Sequence, residues 1–303
     1  MATICITGGS GLIGTILSKH LASKGHRMII LSRSDKKETD SLISYAKWDT
    51  QAGTIDKSVI ENSDYIIHLA GAGVADKRWS KSRKAEILNS RIQSSELLVK
   101  TLNETSNKVK AIISTSAIGW YGPDKNQAFK EKDDAYSDFL GQTCKRWEES
   151  IEPVKNLDKR LVKLRVGIVL SNDGGALKEF KKPIRFGLAT ILGSGKQIIS
   201  WIHIDDLCRI YEYAIDNEKM QGVYNAAAPN PVSNQELTTS LAKKMKGNLF
   251  ITIPVPSIAL KIILGEMSTE VLKSTTVSSS KIQNMGFQFI YPTIDAALNE
   301  LIS

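Results

Sequence analysis

The chain has 303 residues, of which 42% are hydrophobic and 24% are charged, a composition typical of globular proteins. This length fits one large α/β domain with a smaller appended lobe. No apolar run approaches the roughly 20 residues that a membrane-spanning helix needs. The chain begins directly with an apolar strand pattern, without a basic segment or a cleavage site, so we expect no secretion signal and no membrane partner.

The cysteines and the net charge narrow the class of protein further. Cys5, Cys144 and Cys208 are widely spaced and form no C-x-x-C pair. This usage predicts a reducing, cytoplasmic location without disulfides or a zinc site. The net charge of +8 comes from scattered, mostly lysine positions, which is typical of a solvated surface. We therefore expect no nucleic-acid partner, since that alternative rests on charge alone and would require steep salt dependence.

A glycine-rich motif follows the first apolar strand, and a helix-like stretch follows the motif. Gly8 would permit a tight turn, Gly11 would let backbone amides approach a pyrophosphate, and Gly14 would let the helix pack closely. The helix N-terminus adds free N–H groups and a positive dipole end for the phosphates. The motif predicts a dinucleotide site, with contacts from Gly8, Ser10, Gly11, Leu12, Ile13 and Gly14.

A second strand indicates which dinucleotide binds. Arg27–Leu31 begins just after Gly25, so the strand–helix–strand unit has the expected length of about 30 residues. Ser32 and Arg33 follow, where an NAD site usually carries an acidic residue for the ribose 2′-hydroxyl. A guanidinium instead pairs with a 2′-phosphate, and Ser32 could add a hydroxyl donor. We therefore predict NADP(H); the alternative is that Arg33 is a solvated loop residue.

Strands and helices continue to alternate along the chain. The pattern predicts a Rossmann-type doubly wound parallel sheet over residues 1–171, with contributions from about 200–228, and a smaller, mostly helical substrate lobe over 172–303. It predicts one strand over Leu161–Leu170, and Asp206 is expected to cap the helix after the buried segment Trp201–Ile204. Ligands of such sheets lie at the carboxyl ends of the strands, which are expected at Leu69, Ala70, Gly71, Ser116 and Val169.

Further motifs lie outside the glycine turn. They are His68–Gly71, Lys77–Trp79, Ser90–Arg91, Tyr121–Gly122, Gly193–Gly195, Ser200–Asp206, Val223–Asn225 and Gly286–Pro292. Together with the turn, they resemble the extended short-chain dehydrogenases/reductases, the NAD-dependent epimerase/dehydratase superfamily. More narrowly, the chain is similar to an uncharacterised epimerase family of atypical members with a C-terminal extension of unknown function. The resemblance covers essentially the whole chain and implies an NADP(H)-dependent oxidoreductase or epimerase.

One helix departs from the superfamily pattern. Its members carry Tyr and Lys four residues apart on one helix face, where Lys lowers the Tyr pKa so that the phenol acts as acid or base. Here Gly141 and Glu148 keep the register, but the pair has become Leu140 and Cys144. Lys145 cannot replace the lysine, because one residue is about 100° further around the helix.

Ser116 and Tyr121 are the predicted catalytic residues, because the superfamily often keeps a substrate-bonding Ser here and Tyr121 is the nearest phenol in sequence. Arg91 lies on the sheet-facing stripe of the long helix. It would bind cofactor phosphate or a substrate carboxylate, and Glu86 would pair with it or bond a ribose hydroxyl. A structural Arg–Glu network is the alternative.

A basic–aromatic trio precedes the long helix. Lys77 and Arg78, followed by Trp79, would suit an acidic substrate with an apolar part, since basic residues are unusual at a helix start. The alternative is a loop anchored by Trp79, with the two basic side chains in solvent.

Two functions remain open from the sequence alone. The first is an NADP(H)-dependent oxidoreductase or epimerase that acts on an unidentified small carbonyl or hydroxyl compound through a rearranged catalytic group. The second is a non-catalytic NADP(H)-binding sensor or regulatory protein, which the missing Tyr–Lys pair favours. A homodimer is a possible assembly that the sequence does not decide.

Overall fold

The computed structural model describes residues 1–34, 40–125 and 127–302. Its strands are β1 (Thr3–Thr7), β2 (Arg27–Ser32), β3 (Ile43–Asp49), β4 (Thr54–Ile55), β5 (Tyr65–His68), β6 (Ala111–Ala117), β7 (Arg160–Val166), β8 (Ile168–Ser171), β9 (Leu188–Leu192), β10 (Ile198–Ile199), β11 (Trp201–His203), β12 (Gly222–Ala226), β13 (Val232–Ser233) and β14 (Ile251–Val255). Its α-helices are α1 (Leu12–Ser23), α2 (Lys57–Asn62), α3 (Lys81–Glu104), α4 (Phe139–Ile151), α5 (Gly175–Ile184), α6 (Ile204–Asp216), α7 (Asn234–Lys246), α8 (Ser257–Leu264), α9 (Ser268–Leu272), α10 (Ser280–Asn284) and α11 (Ile294–Leu301).

β1 lies inside an eight-stranded sheet, which has the order β12-β7-β6-β5-β1-β2-β3-β4 in the described part of the chain. Every neighbouring pair from β12 to β3 is parallel, and β4 is antiparallel to β3. The chain builds outwards from β1 on both sides, which confirms the predicted Rossmann-type doubly wound sheet. This order brings the carboxyl ends of β1, β2 and β5 side by side, where such sheets bind their ligands.

Both faces of the sheet are covered, because alternate residues of β1 pack into different hydrophobic cores. Ile4 and Ile6 belong to the core that includes Leu17 of α1. Cys5 points to the opposite face and belongs to the core that includes Leu98 of α3. A strand buried on both faces is a continuous apolar run, which is why the sequence identifies β1 so readily.

The prediction of one strand over Leu161–Leu170 is wrong in one respect, because this segment forms two strands that divide at Gly167. The Gly167 amide bonds to the carbonyl of Ala226 in β12, whereas the next amide, of Ile168, bonds to the carbonyl of Ser200. β7 therefore stays in the large sheet, and β8 leaves it to pair in parallel with β11. A Cβ at Gly167 would stand 2.8 Å from the Ser200 oxygen, so this crossing requires glycine.

The chain after β8 is rich in helices, and β9 and β14 form a parallel pair within it. Asp206 does not cap α6; His203 does, because its Nδ1 accepts the Asp205 amide at 3.1 Å. The buried Asp206 carboxylate instead accepts the amides of Ile290 and Tyr291, each at 2.9 Å. It thereby anchors the C-terminal segment to α6. No described helix has both the length and the apolar character needed to cross a membrane.

His68, the last residue of β5, joins β1 to α3 through buried hydrogen bonds. Thr7 Oγ1 accepts the amides of Leu69 and Ala70, each at 3.2 Å, so its proton is available to His68 Nδ1 at 2.7 Å. The His68 Nε2 therefore carries the ring proton and donates to Ser95 Oγ at 3.1 Å. Burial lowers the pKa of His68 from 6.5 to about 3, so the ring is neutral at pH 7.

We expect His68 to make the protein less stable in acid. Below pH 6.5 the unfolded chain binds a proton that the folded chain accepts only near pH 3. The contribution of His68 to the free energy of unfolding is therefore complete above pH 6.5 and is lost as the pH falls towards 3. Urea unfolding at a series of pH values should show this loss, and His68→Gln should flatten it. An unchanged pH slope in the variant would contradict the assignment.

Candidate functional site

A cavity of about 1140 Å³ opens at the carboxyl ends of β1, β2 and β5. The turn after β1, the start of α1 and the loop after β5 form one side, and α3 forms another. Most of the residues predicted to bind the cofactor line this cavity: Gly8, Ser10, Gly11, Leu12, Ser32, Arg33, Leu69, Ala70, Gly71 and Glu86.

The three glycines of the turn have different roles. Gly8 has a φ of +67°, and a Cβ there would stand 2.8 Å from the carbonyl carbon of Leu69, so glycine permits both the turn and its approach to β5. A Cβ at Gly14 would stand 2.5 Å from the Gly8 oxygen, so the helix packs closely on the turn itself. At Gly11 the nearest atom to a Cβ would be 3.4 Å away, which leaves this residue without side-chain bulk beside the cavity.

The first turn of α1 is suited to bind an anion. Gly11 caps the helix without a side chain, and no acidic residue lies in the first turn. The Gly11 amide bonds to the Gly8 carbonyl at 3.0 Å, but the amides of Leu12 and Ile13 donate to no described residue. Free amides and the positive end of the helix dipole together form a phosphate site. Ile13 and Gly14 do not line the cavity but belong to this first turn.

The end of β2 presents Arg33 to the cavity, with its side chain exposed. The Ser32 hydroxyl is not free to donate, because it bonds to the Ser34 carbonyl at 2.9 Å. Asp49, at the end of β3, lies on the same side of the cavity. The backbone amides of Ala52 and Gln51, together with the charge of Arg33, hold the pKa of Asp49 below its usual value.

The wall formed by residues 48–51 is missing from the sequence-based prediction. Trp48, Asp49, Thr50 and Gln51 line the cavity beside Arg33. A signal was available, because the residues of β3 follow β2 in the chain and the carboxyl ends of neighbouring parallel strands meet at one edge.

Glu86 pairs with Arg83 rather than with Arg91. Arg83 Nη1 donates to Glu86 at 2.7 Å, and this hydrogen bond holds the pKa of Glu86 below its usual value. Arg83 Nη2 donates to the Gly73 carbonyl and lies 3.4 Å from Asp76. The buried Arg83 Nε has no partner among the described residues, so a donor beside the cavity remains available. The sequence-based prediction missed Arg83, although it lies three residues before Glu86 on the same helix.

Arg91 does not itself line the cavity but is buried beside Gly71 of its lining, without a carboxylate partner among the described residues. Its Nη1 donates to the carbonyls of Ala72 and Ile87, at 3.0 and 2.8 Å, and its guanidinium lies 4.9 Å from the ring centre of Trp147. A Cβ added at Gly71, which lines the cavity, would stand 3.0 Å from the Cζ of Arg91. Burial lowers the pKa of Arg91, which shows how little the protein itself compensates this charge.

The helix that should carry the Tyr–Lys pair has apolar residues at both positions. A Cβ at Gly119 would stand 3.2 Å from Leu140 and 3.7 Å from the sulfur of Cys144, so the two residues share one face of α4. Burial raises the pKa of Cys144 to about 12, which keeps the thiol protonated and unreactive. Lys145 is exposed on another face of the helix, as predicted from its position.

Ser116 and Tyr121 do not line the cavity, and their hydroxyls are used in a buried ionic network. Ser116 Oγ donates to Glu148 at 2.7 Å, and Arg165 bonds to both oxygens of that carboxylate, at 2.8 and 3.1 Å. Tyr121 donates to Asn225 Oδ1 at 2.7 Å and accepts from Arg165 Nη1 at 3.0 Å. Burial raises the Tyr121 pKa to about 12. These contacts favour a structural role for both residues over the predicted catalytic one, which stays a prediction.

The remaining predicted residues lie outside the cavity lining. Val169 belongs to β8, where its carbonyl faces Gly175, which does line the cavity. Lys77 and Arg78 are exposed, and Arg78 packs against the backbone of Gly265. Trp79 is the buried member of the trio, and its Nε1 donates to the carbonyl of Val74 at 2.9 Å. The loop therefore agrees with the anchored alternative rather than with direct substrate contact by its basic residues.

Comparison with known proteins agrees with this geometry. A family model described as the NAD dependent epimerase/dehydratase family matches residues 4–144, and a domain of unknown function, DUF1731, matches residues 255–301. An epimerase family protein of Staphylococcus aureus is 37% identical over 303 residues, which are 100% of this chain and 99% of that protein. The chain belongs to the epimerase family. The resemblance inferred from the sequence motifs is thus confirmed.

Two solved structures add to this assignment. The human epimerase family protein SDR39U1 (isoform 2), crystallised with NADPH, is 28% identical to this epimerase family protein, with a TM-score of 0.88 and 99% of each chain covered. A nucleoside-diphosphate sugar epimerase from Corynebacterium glutamicum is 30% identical, with a TM-score of 0.78, and covers 99% of this chain and 58% of its own. Nicotinamide-dinucleotide binding is therefore a property of the family to which the chain belongs.

Substitution of two glycines should separate folding from binding. In Gly14→Ala the new Cβ meets the Gly8 carbonyl at 2.5 Å, so we expect a loss of about 1–3 kcal/mol in unfolding free energy. In Gly11→Ala the backbone has a φ of −80° that alanine adopts readily, so stability should change little while phosphate binding weakens. Urea unfolding and nucleotide calorimetry on both variants check this, and equal stability of the two would contradict it.

Tyr121→Phe should act on stability and not on the cofactor. Removal of the hydroxyl leaves Asn225 Oδ1 without its buried donor and takes one partner from Arg165, which should cost about 1–3 kcal/mol. NADPH affinity and any turnover should stay within a factor of two or so of the parent protein. A variant of unchanged stability that loses turnover would restore the catalytic interpretation.

Proposed function

We propose that this epimerase family protein binds NADP(H) and uses it in an oxidoreductase or epimerase reaction on a small carbonyl or hydroxyl compound. The observation that carries the proposal is the position of Arg33, which shares one cavity with the free amides of the α1 N-terminus. A 2′-phosphate would meet a guanidinium at the end of β2 while the diphosphate meets the glycine turn. The human relative with NADPH supports the same choice of cofactor.

The residues present fit such a dinucleotide. The glycine turn leaves space that a Cβ at Gly11 would reduce, and Arg83 Nε is a buried donor without a partner among the described residues. Arg91 adds a positive charge that lacks a carboxylate in the described chain. The unused donor of Arg83 and the uncompensated charge of Arg91 favour a ligand with several anionic or hydroxyl oxygens.

When bound, the cofactor would supply hydride transfer. The α1 amides would hold the diphosphate, and the helix dipole would favour its charge. Arg33 would hold the 2′-phosphate, and Arg83 would orient ribose or phosphate oxygens from α3. Arg91, whose charge acts on Cys144, would take the place of the missing lysine.

A second candidate function is an NADP(H)-binding sensor without turnover. The observation in its favour is that Leu140, Cys144, Ser116 and Tyr121 provide no accessible acid or base. Oxidation of bound NADPH against a panel of neutral and acidic carbonyl compounds separates the two functions. Tight NADPH binding without any turnover would favour the sensor. The homodimer and the absence of a nucleic-acid partner stay predictions.

Arg33→Asp should reverse the preference for the phosphorylated cofactor. Loss of a charge-assisted phosphate contact costs about 1.5–3 kcal/mol, which is roughly a 10- to 100-fold loss of NADPH affinity, and the new carboxylate would also repel the phosphate. NADH affinity should fall much less. Calorimetry with both nucleotides is the measurement, and Arg27→Asp, at the opposite and exposed end of β2, is the matched control. Equal losses for NADPH and NADH would contradict a 2′-phosphate role.

A further inference from the structure

A second cavity, of about 660 Å³, lies between the start of α4 and the region around α9. Trp79, from the loop before α3, meets Phe139 edge to face, with ring centres 5.0 Å apart. Tyr136 and Leu272 add further apolar surface to the lining, and we call this cavity the aromatic chamber. Its walls therefore come from three separate parts of the chain.

The aromatic chamber begins beside the position of the missing tyrosine. Phe139 lines the chamber, and the next residue, Leu140, occupies the position that Tyr holds in the superfamily pattern. Gly73 and Asp76 line the first cavity, while Trp79 of the same loop lines the chamber. The loop of residues 73–79 thus contributes to the lining of both cavities.

An ionic cluster of three residues provides the polar part of the chamber. Lys273 lies 2.8 Å from Glu270 and 3.3 Å from Asp138. The other Asp138 oxygen caps α4 by accepting the Gly141 amide at 2.7 Å. Burial raises the pKa of Glu270 in spite of the nearby Lys273, and the charge of Asp138 acts in the same direction as burial. A carboxyl group of this kind holds a proton more readily than an exposed glutamate does.

We propose that the aromatic chamber is the substrate site and that the Glu270 carboxyl, held by Lys273, exchanges the proton that a tyrosine exchanges elsewhere in the superfamily. The inference rests on the proposed function. When bound, the cofactor would supply the hydride for the new C–H bond at the carbonyl carbon. The π electron pair of the C=O bond moves to oxygen, which takes the proton of Glu270. The resulting carboxylate stays paired with Lys273 and regains a proton from solvent.

The charges of the chamber also indicate the class of substrate. Three acidic residues, Asp138, Glu266 and Glu270, and two basic ones, Lys261 and Lys273, line it, so with a proton on Glu270 two positive charges face two negative ones and the lining carries no net charge. An anionic substrate would gain little there, because Lys273 is already paired with Glu270 and Asp138. The aromatic and aliphatic walls favour a planar apolar ring. The substrate class is therefore a neutral aromatic ketone, quinone or alcohol, which is an alternative to the acidic substrate expected from Lys77 and Arg78.

Binding to the full chain without nucleotide tests the chamber. By calorimetry, phenanthrenequinone, a neutral aromatic diketone, should bind at least about 10-fold more tightly than the anion phenylglyoxylate. Phe139→Ala should weaken phenanthrenequinone binding by about 10-fold through loss of the aromatic contact, whereas Phe186→Ala, at an exposed phenylalanine outside the chamber, should not. NADPH affinity, measured in parallel, reports on the proposed function. A protein that binds NADPH but prefers phenylglyoxylate, or ignores the Phe139 substitution, overturns the chamber alone.

Glu270→Gln tests the proton role. The variant should keep its affinity for phenanthrenequinone and NADPH while kcat for reduction falls by at least about 100-fold, the low end for loss of a general acid. The matched control is Glu179→Gln, which removes an exposed carboxylate that is likewise paired with a lysine three residues later, and it should leave kcat unchanged. In protein labelled at the glutamate carboxyl carbon, NMR without nucleotide should show one resonance, absent from Glu270→Gln, that titrates above the ordinary glutamate range. Retained turnover, or titration at or below that range, overturns the proposal.

Discussion

The close approach of the β1 turn to the end of β5 is the constraint on which the site depends. Gly8 lies so near the Leu69 backbone that any Cβ would collide with it, and Thr7 Oγ1 receives two amides of the β5 loop while it donates to His68. These contacts are made by backbone atoms and buried neutral groups. The shape of the cofactor cavity is therefore fixed by the sheet, independently of the side chains on α4. This explains how the cavity can persist in a chain that has lost the usual Tyr–Lys pair.

Two buried arginines show how the partners of a charge determine its role. Arg165 is matched by both oxygens of Glu148 and lies 3.5 Å from the centre of the Trp120 ring. Arg91 is similarly buried, but it contacts two carbonyls and no carboxylate among the described residues. In a buried ion pair the two charges compensate each other, whereas a single buried charge is costly unless a ligand compensates it. Arg165 is for this reason structural, and Arg91 is the better candidate for a ligand contact.

The sequence could predict the features that follow from local pattern. The sheet, the glycine turn and the register of α4 were all visible, because each depends on residues close together in the chain. The roles of Ser116 and Tyr121 were not, since they depend on Glu148, Arg165 and Asn225, which approach them only in the folded protein. The break at Gly167 was hidden for a similar reason, because its cause is the distant Ser200 carbonyl. Pairing of Glu86 with Arg83 could have been predicted, because they lie three positions apart and therefore side by side on a helix, whereas Arg91 is five positions away.

Local sequence patterns do not reveal a site whose residues come from distant parts of the chain. Any acid or base of this protein therefore has to be sought in the folded structure. The motif that normally reveals an acid or base in the superfamily is a local one on a single helix, and here both of its positions are apolar. Asp138 lies at the start of that helix, but the two residues that complete its ionic cluster, Glu270 and Lys273, belong to the C-terminal domain of unknown function. A catalytic group divided in this way leaves no contiguous signature, because its members meet only when residues 255–301 pack against α4. Under this proposal the C-terminal domain would supply the acid, and the large sheet would hold the cofactor.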